Sequence, residues 1–283
     1  MAPPPGLLAN PALRRLFLAQ VASLLGSGVT SVALAAFAYD LVGGRATVVV
    51  GTALSLRILA FVTLSLIAGV LADRVDRKRL LVGADLVRVA LLGLFPFVDA
   101  VWQVYALIFA VNAATAFFTP AFEASIPEVV GPAHYTRALS LSRVAVDLEA
   151  VGGPLVAGAL IAAVGVRWTF WFDGLTYLVS AGLLLGTRVP KRGAPAERIR
   201  ARDLLPELSL GTRVLLRDPA LRRALLLHAA EAAAGAAAIV ATVVYVHDVL
   251  QRGDAAFAGA MASLGVGSSV AALVVGRRTV RVP

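Results

Sequence analysis

The 283-residue sequence contains no cysteine, only three histidines, and a charged fraction of just 15%. Without cysteine the chain forms no disulfides, and its histidines show no spacing typical of a metal site. It has no P-loop motif, so the residues give no support for ATP hydrolysis by the chain itself. We therefore predict a protein that is not an enzyme and that requires neither a cofactor nor a metal ion.

The shortage of charge is accompanied by an excess of apolar residues. Hydrophobic residues make up 59% of the chain, and its mean hydropathy is +0.84. A soluble domain carries about 25% charged residues, which help to cover its surface in water. This chain has too little polar surface for that purpose, so its composition predicts an integral membrane protein.

Long apolar runs define the predicted membrane spans. A helix needs about 20 mostly apolar residues to cross the hydrocarbon core of a bilayer. The first run is longer than the apolar region of a signal peptide, so we interpret it as an uncleaved span. The eight stretches that qualify are Leu16–Tyr39, Val48–Leu71, Leu80–Phe97, Val101–Phe122, Ala138–Val164, Trp168–Gly186, Ala224–Val246 and Ala255–Val275.

The basic residues predict how these spans are oriented. When the segments between spans are assigned alternately to two sides, one side receives 21 lysine and arginine residues and the other receives only Arg45, Arg167 and Arg252. Because positive residues favour the cytoplasm, both termini are predicted to be cytoplasmic, in a bacterial-type plasma (inner) membrane. This topology accounts for the net charge of +9. Nucleic acid is therefore not a predicted partner.

A basic linker divides the chain after the sixth span. Apolar residues at helical spacing within it, Leu204, Leu208 and Val214–Leu216, predict a short amphipathic helix on the membrane surface. The alternative is a solvated segment that only sets the topology. The predicted parts are a six-helix transmembrane bundle at 1–187, the linker at 188–223 and two further helices at 224–283.

A dense charge cluster lies between the second and third spans, in GVLADRVDRKR (Gly69–Arg79). A glycine at its start allows two helices to approach closely. Asp73 stands at the end of a span, where it can pair with Arg77 and hold one conformation closed, with Glu123 or Glu128 as a third partner. The alternative is that the basic residues only anchor the loop, although an acid contributes nothing to such an anchor. The predicted gating residues are Gly69, Asp73, Arg74, Arg77 and Lys78.

A second cluster, VGGPLVAG, lies in the fifth span. Proline removes a backbone hydrogen bond and bends a helix, and small neighbours allow another helix to pack tightly at the bend. The alternative is an ordinary small-residue packing face. The residues concerned are Gly152, Gly153, Pro154 and Gly158.

Six spans, a basic linker and further spans form the layout of the major facilitator superfamily (MFS), and both clusters resemble its signatures. GVLADRVDRKR resembles the loop G-x-L-A-D-R-x-G-R-R/K-R/K, with Asp76 in place of the second glycine. VGGPLVAG resembles the glycine-proline motif of proton-coupled exporters, with Ala157 in place of one glycine. The segments LRRLFLAQVASLLGSGV, FFTPAFEASIPEVV and LSLSRVAVDLEAVGGP resemble the multidrug, macrolide and siderophore exporters. In that branch an acidic residue often stands at the place of Ser27.

The resemblance implies an all-α polytopic membrane protein, with an MFS-type six-helix N-terminal bundle plus two helices of an incomplete second bundle. Because the family usually has twelve spans, we interpret the chain as truncated after eight. The resemblance further implies a secondary active transporter that exports small amphipathic compounds, of drug or siderophore type, by alternating access. The implied partners are the lipid bilayer, a small-molecule substrate and protons as the coupling ion. The alternative is a non-transporting remnant that acts as a structural or partner-binding membrane protein.

Ionisable residues within spans are candidate sites, because a charge in the bilayer is costly to bury. Asp85 and Arg88 are spaced i, i+3, so we expect them to pair on one helix face, and we favour a structural role for the pair. Arg57, Asp147 and Glu231 have no obvious partner in the sequence. They are candidates for substrate binding or proton exchange. The complete candidate set is Arg57, Asp85, Arg88, Asp147 and Glu231.

Two further acids are expected closer to water. Asp173 is expected near the outer end of the sixth span, and Glu149 near the cytoplasmic surface. For the candidates Asp147 and Glu231, by contrast, an apolar cavity favours the neutral carboxylic acid, which suits it to loading and releasing a proton.

The predicted topology can be tested by cysteine labelling, because the chain has no cysteine of its own. A cysteine replacing Asp76 should not react with an impermeant maleimide added to intact cells, whereas one replacing Asp99 should react. Labelling at position 76 from outside would contradict the orientation.

Overall fold

A computed structural model of the chain describes residues 9–131, 134–187 and 216–253, together with scattered positions between 256 and 267. All the regular elements in this part of the chain are helical. Shorter helical turns lie at Gly43–Arg45, Phe95–Phe97 and Tyr245–Val249, the last with π-helical hydrogen bonding. The long helices are α1 (Pro11–Val42), α2 (Ala46–Arg74), α3 (Arg77–Gly93), α4 (Val101–Val130), α5 (Tyr135–Val164), α6 (Val166–Leu185) and α7 (Pro219–Val244).

Local sequence signals set several helix ends. Asn10 caps α1, because its side-chain oxygen accepts hydrogen bonds from the backbone N–H groups of Ala12 and Leu13, and a proline follows at the first helical position. Gly165, with a φ of 83°, separates α5 from α6 in a backbone conformation that other residues rarely adopt. These signals break the apolar sequence into separate helices that can turn back across the bilayer.

The helices confirm the all-α, multi-pass architecture. Seven of the predicted spans fall on α1 to α7, and most of the observed helices extend a few residues beyond the apolar runs. The predicted linker helix lies almost entirely outside the described residues, and about two thirds of the eighth predicted span does so as well. By length and composition, four described stretches are suited to cross a membrane: Pro11–Ser65, which includes α1 and much of α2, then Arg77–Phe97, Val101–Val130 and Leu141–Val164. The division into three parts stays a prediction.

The first six helices pack against one another in one bundle. Helix α1 contacts α5 and α6, α2 packs along α4, and α3 lies between α4 and α6. Near one end, Phe37, Phe95 and Phe170 form a buried aromatic cluster, in which the rings of Phe95 and Phe170 stack with centroids 4.2 Å apart. Many large apolar side chains on the outer faces are exposed, as a lipid-facing surface requires. Helix α7 contacts α2 and, less extensively, α1.

Two glycines allow α1 and α5 to approach closely. A Cβ atom added to Gly153 would lie 2.7 Å from the Cα atom of Gly28, and one added to Gly152 would lie 2.8 Å from a methyl carbon of Leu25. Pro154 is also buried, and α5 continues through it. In this structure the VGGPLVAG segment therefore forms a helix-packing face, as its small residues predict. Its mechanistic role as a bend stays a prediction.

This crossing gives a stability prediction. Gly153→Ala should destabilise the bundle by roughly 1–3 kcal/mol, because the added methyl group overlaps the backbone of α1. Gly182→Ala is the matched control, since no described atom lies within 4 Å of a Cβ at that helical position, and alanine favours a helix by up to about 1 kcal/mol. Loss of helical signal during titration with a denaturing detergent measures both. Equal stability of the two variants would contradict the close packing.

Candidate functional site

A cavity with a mostly apolar wall and several polar groups lies within the six-helix bundle. Its volume is about 750 Å³, including the part open to solvent. Helices α1, α2, α3, α4 and α6 all contribute to its wall, which combines apolar side chains with hydroxyl, amide and charged groups. The polar lining residues are Ser27, Thr30, Ser31, Arg57, Asn112, Thr115, Asp173 and Tyr177. Such a mixture is typical of a small-molecule site, in which a few polar groups orient a largely apolar ligand.

Asp173 is the acidic group of this wall. It is 1% exposed, and the Thr30 hydroxyl donates to its Oδ2 at 2.6 Å across the α1–α6 contact. The Thr176 hydroxyl lies 3.3 Å from Oδ1 and 2.8 Å from the Asp173 backbone carbonyl oxygen. Gly26 makes this arrangement possible, because a Cβ there would overlap both Oδ1 and the Thr176 hydroxyl. The carboxyl group is thus enclosed by hydroxyls and by the backbone of α1.

Behind the cavity, Asp85 and Arg88 form the ion pair that their spacing on α3 predicts. Both residues are almost fully buried, and Asp85 Oδ2 also accepts a hydrogen bond from Ser180 at 2.7 Å. The Arg88 guanidinium lies 4.4 Å from the ring centre of Phe118 and 4.1 Å from that of Tyr177. Aromatic faces and a carboxylate together satisfy this cation. The geometry supports the structural role favoured for the pair, with Tyr177 connecting it to the cavity.

Arg57 lies on the cavity wall with an exposed side chain. Glu149 of α5 is close enough to interact with it electrostatically, and its side chain lies beside Gly28 within the bundle. Glu149 is therefore partly enclosed by the α1–α5 contact, deeper than the surface position expected from the sequence. Arg57 remains the cationic group that faces the cavity.

Asp173 lies in the first half of α6, where its carboxyl group is enclosed between α1 and α6 and also forms part of the cavity wall. The expectation that water reaches it near the outer end of the sixth span stays a prediction. Its partner Thr30 is 143 residues away in sequence, so no local spacing connects them. The sequence feature that could have pointed to this site was an acidic residue within an apolar helix. The Asp147 and Glu231 side chains lie outside the described residues, so their proposed roles stay predictions.

The charged loop after α2 joins several helix ends. Asp76 caps α3, because its side chain accepts a hydrogen bond from the Arg79 backbone N–H at 3.2 Å. Asp76 therefore has a structural role at the position where the loop signature that it resembles has its second glycine. Arg77 is 9% exposed, and its guanidinium donates to the Ala72 carbonyl at 3.2 Å and contacts Glu128 Oε1 at 2.6 Å. It also donates to the Ala124 carbonyl. Arg77 therefore ties the end of α2 to the end of α4.

Two other basic residues hold the end of α6. The Lys78 ammonium group donates to the Leu185 carbonyl, and the Arg15 guanidinium donates to the Gly186 carbonyl. Cations are favourable at the C-terminal end of a helix, where carbonyl groups lack partners within the helix. Lys78 thus has a bonding role in addition to any effect on topology.

The expected role of Gly69 does not match the structure. We expected this glycine to permit close approach of two helices, but no described atom lies within 4 Å of a Cβ at this position. The side chains of Asp73 and Arg74 lie outside the described residues, so the proposed Asp73 latch stays a prediction. Of the predicted third partners, Glu128 is the acid that contacts Arg77.

At the opposite end of the bundle, α1 meets the segment after α7. The rings of Tyr39 and His247 stack with centroids 4.3 Å apart, and the Tyr39 hydroxyl donates to Asp248 Oδ1 at 3.1 Å. His247 and Asp248 belong to the π-helical turn Tyr245–Val249, an irregularity often found at functional positions. Next to it, Val246 is buried against the apolar core. This contact connects the six-helix bundle to the seventh helix.

Comparison with known proteins places this architecture among named relatives. An uncharacterised MFS-type transporter of Bacillus subtilis, YfiS, is 27% identical over 241 residues, which is 78% of this chain and 54% of the relative. Macrolide efflux protein A of Enterococcus faecalis is 29% identical over 54% of this chain and 49% of its own length. Enterobactin exporter EntS of Shigella dysenteriae is 27% identical over 75% of this chain and 51% of its own length. The chain spans about half the length of these relatives.

Solved structures show the same fold. A bacterial homologue of the human lysosomal transporter Spinster, in an inward-facing and unoccupied conformation, has a TM-score of 0.71 and 16% identity, over 96% of this chain and 63% of its own. A peptide transporter, POT, has a TM-score of 0.53 and 18% identity over 74% of this chain. Residues 16–283 match the family model described as Major Facilitator Superfamily. With that match over nearly its whole length, the chain belongs to the major facilitator superfamily.

Proposed function

We propose that the protein exports small amphipathic compounds and exchanges them for protons by alternating access. The observation that carries this proposal is a cavity with a few polar groups in a mostly apolar wall, inside a helical bundle whose outer surface is apolar. Its wall offers one cation, Arg57, one acid, Asp173, and several hydroxyls among aliphatic side chains. An amphipathic compound can place its apolar part against the aliphatic wall and its polar groups against these side chains.

The direction of transport is proposed from the relatives and from the helix-packing motif. Two named relatives are a macrolide efflux protein and an enterobactin exporter, so export is the activity that similarity favours. VGGPLVAG resembles the glycine-proline motif of proton-coupled exporters and lies at the crossing of α1 and α5. We propose that this crossing keeps α1 and α5 together while the bundle moves as a unit.

The proposed orientation places the Asp76 loop in the cytoplasm and the Tyr39–His247–Asp248 contact on the outer side. Positive residues support this orientation, since Arg15, Arg77 and Lys78 all lie at the Asp76 end. Tyr39 joins α1 to the turn that follows α7, and we propose that this contact keeps the outer side of the bundle closed. Opening towards the outside then requires this contact to break.

The transport proposal predicts a loss of activity when the cavity cation is removed. Arg57→Ala should slow uptake of an amphipathic fluorescent dye into inverted membrane vesicles by about tenfold, because a hydrogen bond to a charged group contributes roughly 1.5–3 kcal/mol. The vesicles carry this chain, and an imposed pH gradient drives uptake. Arg45→Ala is the control, since Arg45 is exposed in the turn between α1 and α2.

The outcomes separate the alternatives. Uptake by the unaltered chain that disappears when the pH gradient is collapsed supports proton-coupled export. No uptake of any amphipathic dye by a correctly folded chain would favour the non-transporting membrane protein. Equal loss in both variants would show that Arg57 has no special role at the cavity.

The outer contact gives a second prediction. Tyr39→Phe keeps the ring that stacks on His247 but removes the hydrogen bond to Asp248. Because losing this hydrogen bond costs the closed state about 1 kcal/mol, the population of the outward-open state relative to the closed state should rise about fivefold. A cysteine at Ser31, on the cavity wall, should then react faster with an impermeant maleimide added outside intact cells. Tyr245→Phe is the control, because that ring is exposed in the same turn. An unchanged labelling rate in the Tyr39 variant would rule out a closing role.

A further inference from the structure

We propose that Asp173, held between the hydroxyls of Thr30 and Thr176, is the site at which the protein binds and releases its proton. This assignment rests on the proposed proton-coupled export and names the group that performs the coupling. The same arrangement leaves no space for a metal cation beside the Asp173 carboxyl group.

The first step in the argument is a count of charges around the cavity. Among the described side chains, α3, α5 and α6 place three carboxyl groups there: Asp85, Glu149 and Asp173. The facing cations are Arg88 of α3 and Arg57 of α2. Three ionised carboxylates would exceed the two cations by one unit of negative charge. An uncompensated charge in such an enclosed place is costly, so the excess is expected to be neutralised.

The second step identifies which carboxyl group carries the excess. Asp85 bonds directly to Arg88, and Ser180 donates to its other oxygen. Glu149 interacts with Arg57. Asp173 likewise interacts electrostatically with one arginine, Arg88, and neither Glu149 nor Asp173 forms an ion pair among the described residues. The described hydrogen-bond partners of Asp173 are both hydroxyls. Tyr177, the remaining titratable group nearby, bonds to Ser27 and stacks against Arg88. Of these two acids, Asp173 is the more deeply buried and is the one that lines the cavity, so we assign the unbalanced charge to it.

The third step decides between a proton and a metal ion. A metal cation requires several oxygen ligands around a space of its own. At Asp173 that space is filled by the backbone of α1, since even a Cβ at Gly26 would overlap Oδ1. A proton needs no such space. A hydroxyl can donate to a carboxylate or accept from a carboxylic acid, so Thr30, 2.6 Å from Oδ2, serves both states.

Proton exchange at this site is chemically simple. The O–H bond of the Asp173 carboxylic acid breaks, the electron pair stays on the carboxylate, and the proton passes to water in the cavity that Asp173 lines. The reverse transfer restores the acid. Ionised Asp173 adds a negative charge to the cavity wall, so a change of proton occupancy alters how the cavity binds a charged substrate.

Carbodiimide labelling tests this site without requiring transport. Dicyclohexylcarbodiimide takes the proton of a carboxylic acid on nitrogen, the carboxylate oxygen adds to its central carbon, and rearrangement leaves a stable N-acylurea. Mass spectrometry of the purified full chain should locate this adduct at Asp173, with a yield that falls as pH rises. Two carboxylates serve as internal controls: Asp85 is buried but ion-paired, and Asp99 is 83% exposed. Neither should be labelled.

Four results would overturn the proposal. Absence of the Asp173 adduct at every pH would show that the group is not protonated, and a yield independent of pH would show that it does not exchange. Protection from labelling when sodium chloride replaces choline chloride at constant pH would indicate a metal-ion site. Preferential labelling of Asp85 would place the neutral acid on α3.

A transport measurement separates this inference from the proposed function. Asp173→Asn keeps the size of the side chain and an oxygen that accepts from Thr30. Dye uptake driven by a pH gradient should fall at least tenfold, while exchange of dye across vesicles at equal pH should continue. Retained gradient-driven uptake would remove Asp173 from coupling. If the unaltered chain moves no dye, the proposed export fails, and the labelling experiment still decides whether Asp173 exchanges a proton.

Discussion

The arrangement of the bundle depends on the small residues of α1. In a bilayer, polar groups must find their partners within the protein, because the surrounding lipid offers none. Gly26 and Gly28 bring the backbone of α1 against Asp173 of α6 and Gly153 of α5. The same stretch supplies the Thr30 hydroxyl to Asp173. A larger side chain at either glycine would separate these helices, so close packing and the polar contacts of the cavity have one cause.

The two ends of the bundle are held in different ways. At the Asp76 end, Arg77 and Lys78 donate to backbone carbonyls or contact acids of α2, α4 and α6, and their bonds tie these helices into one unit. At the other end, the described contacts with the turn after α7 include a hydroxyl bond and a ring stack from Tyr39, next to the buried Val246. A bundle whose helices are tied to one another can move as a rigid body.

Sequence reasoning succeeded where an interaction is local. Apolar length located the helices, and the i, i+3 spacing of Asp85 and Arg88 predicted their ion pair. It was limited where partners come from distant helices. Asp173 looked like a residue near water because nothing in its own helix shows that Thr30 lies against it. Gly69 shows the opposite limitation, because a motif position predicted a close contact that the described neighbours do not make.

The partners of the two buried aspartates explain why they differ in function under this proposal. Asp85 bonds to a guanidinium that is itself enclosed by two aromatic rings, so removing its charge would leave Arg88 buried without a counterion. That cost favours keeping Asp85 paired with Arg88. Asp173 is bonded to hydroxyls, which tolerate either state because they can reverse the direction of donation. Under the proposed proton exchange, we therefore assign the exchange to Asp173, whereas Asp85 holds α3 against α6 through its hydrogen bond with Ser180.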